Sequence, residues 1–266
     1  MSILVVKPLF RLPLIYIYTM INTIPITLAL AQPVYIYSHC VDTENFTLNS
    51  TYETNLDYAL SALPTTNSGL GFFNFSTREV NSIALCRGDV NPDVCSSCLN
   101  DSIVNLRKLC PYQKEALWFY EYCLLQYSNN TLLTYPQEKD YFYQFNPNIT
   151  TDLDRFNGVL LPLMDYLIGI AAAGGPLLKF AYGNRTDPSL VTIYGLVQCA
   201  PYLTEQECSE CLKDEVSRIG LNDNGKIGGK IVLLTCNFRF ETYPFVNQSS
   251  VDSPPPPFRS SLPPGM

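Results

Sequence analysis

An α+β fold repeated in two tandem copies is the architecture this sequence predicts, and three observations predict it. First, cysteines recur in one register: Cys86, Cys95, Cys98 and Cys123 lie 113 residues before Cys199, Cys208, Cys211 and Cys236. Second, each half opens with apolar residues at helical spacing, Tyr52, Leu56, Ala59, Leu60 and Leu63 in one and Phe156, Leu160, Leu163 and Leu167 in the other. Third, each half closes on strand-like stretches, ALWFYEYCLLQYS and KIVLLTCNFRFETYPF. Four cysteines in one register mark a duplication, and 266 residues suit two small domains better than one. Each domain is expected to be a small antiparallel sheet packed on two helices and held by disulfides.

Residues 1–31 read as a cleaved signal peptide. Lys7 and Arg11 give a basic start, Leu12 to Leu30 is mostly apolar and uncharged, and Ala29-Leu30-Ala31 is the small-x-small pattern cut by signal peptidase. In a secreted chain, 10 cysteines form a disulfide framework rather than a metal or redox centre. Eight N-x-S/T sequons point to the same compartment: Asn45, Asn49, Asn74, Asn100, Asn129, Asn148, Asn184 and Asn247. A formal charge of -7 leaves no electrostatic footprint for nucleic acid or for anionic membranes. The longest apolar stretch after the leader, Phe156 to Ala173, is interrupted by Asn157, Asp165 and glycines. It reads as a buried amphipathic helix, so no membrane span is expected in the mature chain.

The first domain is placed at residues 33–137 and the second at 138–247. Residues 86–99, CRGDVNPDVCSSCL, and 199–212, CAPYLTEQECSECL, share the pattern C-x8-C-x2-C. Helical periodicity follows each, in CLNDSIVNLRKL and CLKDEVSRIGL. Residues 230–245 read as a strand, with Cys236, Phe238 and Phe240 inward and Asn237, Arg239 and Glu241 outward. The pairs Asn224-Gly225 and Gly228-Gly229 read as turns. Residues 248–266, with the run Pro254 to Pro257, read as a proline-rich disordered tail.

Cysteine parity constrains the bridges. Cys110 maps onto Asp223, and aligning the helical stripes sets Gln144 opposite Cys40. Two cysteines missing together from the second half predict a Cys40–Cys110 bridge. Cys95 and Cys98 share a helix face in poor geometry for bonding each other. Cys86 is then joined to one of them and Cys123 to the other.

These motifs resemble the plant ginkbilobin-homologous domain, also called the salt-stress response/antifungal domain. The phrases IYGLVQC, ECSECL, GKIGGK and CNFRFETYPF are similar to the second such domain of plant cysteine-rich receptor-like kinases and of cysteine-rich repeat secretory proteins. The resemblance covers residues 33–247 and implies the pairs Cys40–Cys110, Cys86–Cys95, Cys98–Cys123, Cys199–Cys208 and Cys211–Cys236. The usual third bridge of the second domain is absent, because Asn222 and Asp223 stand at its place.

The resemblance also implies a function. The chain is expected in the apoplast as an extracellular interaction or ligand-binding protein of plant stress or defence signalling. It resembles a receptor-like kinase ectodomain without its kinase, and its partner would be an extracellular protein or glycan. The alternative is an antifungal, mannose-binding, lectin-like effector. Family members that bind mannose use an Asn just after the first cysteine, an Arg seven after the cysteine at the Cys110 position, and a Glu five after the last cysteine. Those positions hold Val41, Leu117 and Ser128 in the first domain, which cannot supply the same hydrogen bonds. In the second domain they hold Phe145, Lys230 and Glu241. Glu241 and Lys230 are therefore the candidate carbohydrate-binding residues, although lysine lacks the planar fork of arginine.

No enzyme is expected. His39 is the only histidine, and a catalytic histidine needs a third group to orient it. Oxidised cysteines supply neither thiolate nucleophiles nor zinc ligands. Asp152-Leu153-Asp154 suits a helix N-terminus better than a calcium cage. No metal, no cofactor and no phosphate-binding loop is expected.

Overall fold

Duplication in the sequence reappears in the strand order. The computed structural model describes residues 33–66, 71–134, 141–175, 178–218 and 225–246. The expected leader and tail, Asn222, Asp223, Asn224 and Asn247 lie outside these residues. The first repeat runs β1 (Tyr35–Asn45), α1 (Thr51–Ala62), β2 (Phe72–Ser76), β3 (Asn81–Cys86), α2 (Pro92–Leu109), β4 (Gln113–Tyr120) and β5 (Cys123–Ser128). The second runs β6 (Tyr141–Phe145), α3 (Leu153–Ala172), β7 (Lys179–Thr186), β8 (Thr192–Cys199), α4 (Glu205–Ser217), β9 (Gly229–Leu233) and β10 (Cys236–Glu241). Each repeat forms one five-stranded antiparallel sheet, ordered β1-β4-β5-β3-β2 and β6-β9-β10-β8-β7.

Helix starts follow local chemistry. Ser50 caps α1 by accepting from the Glu53 N–H, and Asp152 caps α3 by accepting from the Arg155 N–H. Thr204 and Glu207 form a reciprocal capping box on α4. Pro92 occupies the first turn of α2, where its missing N–H costs nothing. Asp152 is thus spent on a helix end.

Each sheet buries one face under its own helices. In the first domain Leu56, Leu60, Leu99 and Leu106 pack on Ala116, Trp118, Leu125 and Tyr127. In the second Leu160, Leu163 and Leu167 pack with Ile193, Val197, Phe238 and Phe240. Five disulfides staple these cores: Cys40–Cys110, Cys86–Cys95, Cys98–Cys123, Cys199–Cys208 and Cys211–Cys236.

The other sheet faces meet. Ile83, Leu85, Leu117, Phe119, Leu124 and Leu132 of the first domain form one buried cluster with Leu234, and Phe142 and Val232 pack against it. The layers therefore run helices, sheet, sheet, helices. Gly88 permits close approach here, because a Cβ on it would stand 2.5 Å from Cγ of Phe180.

Three local expectations are corrected. Residues 230–245 are not one strand but the hairpin β9–β10, which turns at Leu234 and Thr235. Gly228 and Gly229 are not a turn: Gly229 begins β9, paired with Phe145. The alignment at β6 shifts by one residue. Cys40 pairs with Ala116, and the equivalent of Ala116, Gly229, pairs with Phe145. Phe145, not Gln144, stands where Cys40 stands, and Asn146 takes the place of Val41.

Candidate functional site

The candidate carbohydrate residues lie at the seam between the two sheets. Lys230 on β9 and Glu241 on β10 both belong to the outward row of their sheet, and that row faces the first domain. Lys230 Nζ donates to Glu121 Oε2 at 2.9 Å. Glu121 sits between β4 and β5, so the bond crosses from one domain to the other. The same carboxylate accepts from Arg239 at 2.6 Å and from Arg87 at 2.8 Å through Oε1. Arg87 also holds Asp89 through its Nε at 2.6 Å. Arg239 holds Glu241 Oε1 from two nitrogens, Nε at 3.3 Å and the second Nη at 3.1 Å. Three cations and three carboxylates thus close a network, and five of its bonds are ion pairs of 3.1 Å or less.

Burial and charge oppose each other in this network. Burial alone would raise the pKa of Glu121, but the charges of Lys230, Arg239 and Arg87 outweigh it and hold the carboxyl below its ordinary value. Burial likewise works against the Arg87 charge, and the hydrogen bond and charge of Asp89 more than offset it. Neutral contacts tighten the seam further. Gln198 Nε2 donates to the Cys86 carbonyl at 3.0 Å, and the Gly88 N–H donates to Gln198 Oε1 at 3.3 Å. The Arg239 guanidinium lies 4.3 Å from the ring centroid of Phe245.

This arrangement locks domains together and leaves little room for a sugar. A cavity of ≈ 50 Å³ remains, lined by Arg87, Glu121, Gln198, Lys230, Asn237 and Arg239 among others. Small-molecule sites are commonly about 300 Å³ or larger. Glu241 is 7% exposed, and its Oε2 is buried and accepts no hydrogen bond among the described residues. Lys230 and Glu241 are brought into one network through Arg239 and Glu121. The strand register adds Asn146 near them in place of Phe145, yet its Oδ1 is occupied by the Asn148 N–H at 3.0 Å. In the first domain Leu117 is buried in the seam and Ser128 is fully buried.

Sequence reasoning missed Arg87, Glu121 and Gln198. A signal existed: Glu121 interrupts the apolar run from Ala116 to Leu125, and Arg87 directly follows a framework cysteine. His39 is an exposed residue on β1 whose ring stacks with Tyr37 at 6.5 Å. Among the described residues no group of three or more His, Cys, Asp or Glu is placed to hold a metal. No helix among them is long and apolar enough to cross a membrane. Of the seven sequon asparagines described, Asn45, Asn49, Asn74, Asn100, Asn148 and Asn184 are exposed and Asn129 is half-buried.

Comparison with known proteins places this architecture. The family model for salt stress response/antifungal domains matches residues 39–130 and 144–243. The putative cysteine-rich receptor-like protein kinase 20 of Arabidopsis thaliana is 37% identical over 236 residues, 86% of this chain and 35% of the relative. The putative cysteine-rich receptor-like protein kinase 9 of the same plant is 32% identical over 234 residues, 85% of this chain and 87% of the relative. Among solved structures, the tandem DUF26 ectodomain of the Arabidopsis thaliana cysteine-rich receptor-like protein PDLP8 matches with a TM-score of 0.67 at 23% identity. That of PDLP5 matches with a TM-score of 0.60 at 27% identity, and both comparisons cover 78% of this chain and 98% of the other.

Proposed function

The chain belongs to the salt stress response/antifungal family, and on that premise we propose that it is a non-catalytic extracellular module that binds a partner protein in plant stress or defence signalling. One observation carries the reading. The outer sheet faces, which hold the family's sugar positions, are buried against each other and tied by the Glu121 network. Recognition is then left to the helical faces and strand edges of a rigid two-domain body. Rigid surfaces lose little conformational freedom on binding, which favours protein partners of defined shape.

The lectin-like alternative has two supporting observations, the register that sets Asn146 at the asparagine position and the buried, unpartnered Oε2 of Glu241. Against it stand the commitment of Lys230 to Glu121 and the small cavity. The test uses the full chain secreted from plant cells. It is titrated against a panel of purified plant extracellular domains and, separately, against mannose and mannan in a calorimeter. A saturable protein partner with no saturable sugar signal is expected. Mannan binding that disappears in Glu241→Ala would instead establish the lectin reading.

A further inference from the structure

Four strands end the two sheets: β1 and β2 in the first, β6 and β7 in the second. An edge strand presents unpaired N–H and C=O groups, and natural proteins guard such edges against strand addition. Three of these edges are aromatic and free of proline, and one of them, β6, reads YFYQF. β2 reads FFNFS and β7 reads KFAYGNRT, each with aromatic residues and no proline. β1 is broken by register shifts between Tyr35 and Tyr37 and between Val41 and Asn45, which blunts its edge.

A glycosylation sequon lies inside two of the three aromatic edges, β2 and β7, and none lies inside β6. Asn74 sits between Phe73, which is buried, and Phe75, which packs on the helix-side core, so the pleat turns Asn74 to the opposite face. Asn184 lies two residues beyond Tyr182 on β7 and shares its face. Both asparagines are exposed, and neither side chain hydrogen-bonds within the described residues. The sequon hydroxyls lie at the hairpin ends: Ser76 Oγ donates to Asn81 Oδ1 at 2.8 Å, and Thr186 Oγ1 lies 2.9 Å from Thr192 Oγ1. Of the other sequons, Asn45 ends the edge strand β1, where the register is already broken. Asn129 Nδ2 already donates to Glu44, and the Asn100 sequon ends in the fully buried Ser102.

We propose that N-linked glycans on Asn74 and Asn184 cap the β2 and β7 edges and keep the protein from associating with itself through those two edges. The attachment is ordinary sequon chemistry. The asparagine amide nitrogen displaces the pyrophosphate of a lipid-linked oligosaccharide from its anomeric carbon. One C–N bond forms, one C–O bond breaks, and the amide proton leaves to a base, with no change in oxidation state. A bulky, solvated glycan in the middle of an edge strand cannot be accommodated beside an added strand. The inference rests on the extracellular reading, because only a chain that enters the secretory pathway meets the donor.

The experiment takes the full chain secreted from plant cells. Glycopeptide mass spectrometry reads occupancy, and sedimentation velocity over a concentration series reads self-association. Occupied Asn74 and Asn184 and a monomeric wild type are expected. Asn74→Gln with Asn184→Gln should associate at least tenfold more tightly, while Asn100→Gln should match the wild type. If the double variant is not secreted, Ser76→Ala with Thr186→Ala, which keeps both asparagines, must show the same gain. Unmodified Asn74 and Asn184 in a wild type carrying glycans elsewhere would overturn the inference alone. Glycans on both with no gain in association would also overturn it. A chain without glycans at any sequon would overturn the extracellular reading beneath it.

Discussion

Where the first domain ties β1 to the end of α2 through Cys40–Cys110, the second sets Phe145 against Gly229 at the equivalent place. In the first, Ala116 pairs with Cys40 and is fully buried. In the second, the pairing residue has lost its side chain altogether, and a Cβ there would stand 2.5 Å from Cδ1 of Phe145. One fold therefore closes the same corner in two ways, by a covalent link or by an aromatic ring laid over a glycine. A bridge acts mainly on the unfolded chain, whereas a packed ring acts through native contacts. The two domains should accordingly respond to different perturbations.

Bridge counting alone would make the second domain the weaker if the halves were separated. Separation, however, would strip Ile83, Leu85, Leu117, Phe119 and Leu124 of the first domain of their cover. The comparison belongs in the full chain. The largest effect is expected from Cys40→Ser with Cys110→Ser, which opens a link spanning 70 residues. The chain-entropy estimate for such a loop is roughly 4 kcal/mol, and measured values often fall below it. Urea unfolding with domain-resolved hydrogen exchange should show protection lost in β1 and β4 and retained in β6 and β9. A loss below about 1 kcal/mol, a quarter of that estimate, would mean that packing already closes the corner in both domains.

The next effect concerns what joins the domains. Glu121→Gln leaves Arg87, Lys230 and Arg239 with one carboxylate fewer at a site where Glu121 is 15% exposed. Breaking a fully buried pair costs about 3–5 kcal/mol, so about 2 kcal/mol is expected at this partly wetted one. The pH dependence has a definite sign. The folded carboxyl is held below its ordinary value despite burial. Its contribution is present above the unfolded value of about 4.3 and is lost as pH falls through the folded one. Protection of the Gly88 and Gln198 amides, taken relative to their intrinsic exchange rates, should fall in the wild type as pH drops below about 4.3, and Glu121→Gln should lack that acid step. An identical acid step in the variant would show that other carboxylates govern the seam.

The boundary between legible and illegible features in this sequence has a physical cause. The cysteine register and the 3.6-residue stripes are local patterns, and they carried the duplication, the helices and the inward set Cys236, Phe238 and Phe240, each 1% exposed or less. Alternation tells which residues share a sheet face but not what covers that face. Alternation makes Asn237, Arg239 and Glu241 outward, which they are, but the outward face meets another sheet rather than water. The Leu234–Thr235 turn was missed because it carries no glycine, proline or asparagine. The shift at β6 arose because Phe145 replaces a cysteine, and no cysteine marked the register there. Once Ala116 and Gly229 are matched by strand pairing, Asn146 rather than Phe145 stands at the asparagine position that the family resemblance implies.

The smallest expected effect tests the ring-for-bridge substitution itself. Gly229→Ala adds one methyl at 2.5 Å from Phe145 Cδ1, 2.9 Å from its Cε1 and 3.3 Å from Phe240 Cε1. Phe240 is fully buried and cannot yield, so Phe145, at the sheet edge, must move. Overpacking of this kind costs about 1–3 kcal/mol, and the low end is expected because Phe145 is only half-buried. The cost should depend on the ring. In a double-mutant cycle, Phe145→Ala alone loses packing, while Gly229→Ala in the Phe145→Ala background should cost almost nothing, a coupling of about 1 kcal/mol. Equilibrium unfolding of the four proteins measures it. Additive changes would mean that Gly229 is there for reasons other than the ring, and the two domains would then differ by a missing bridge with nothing in its place.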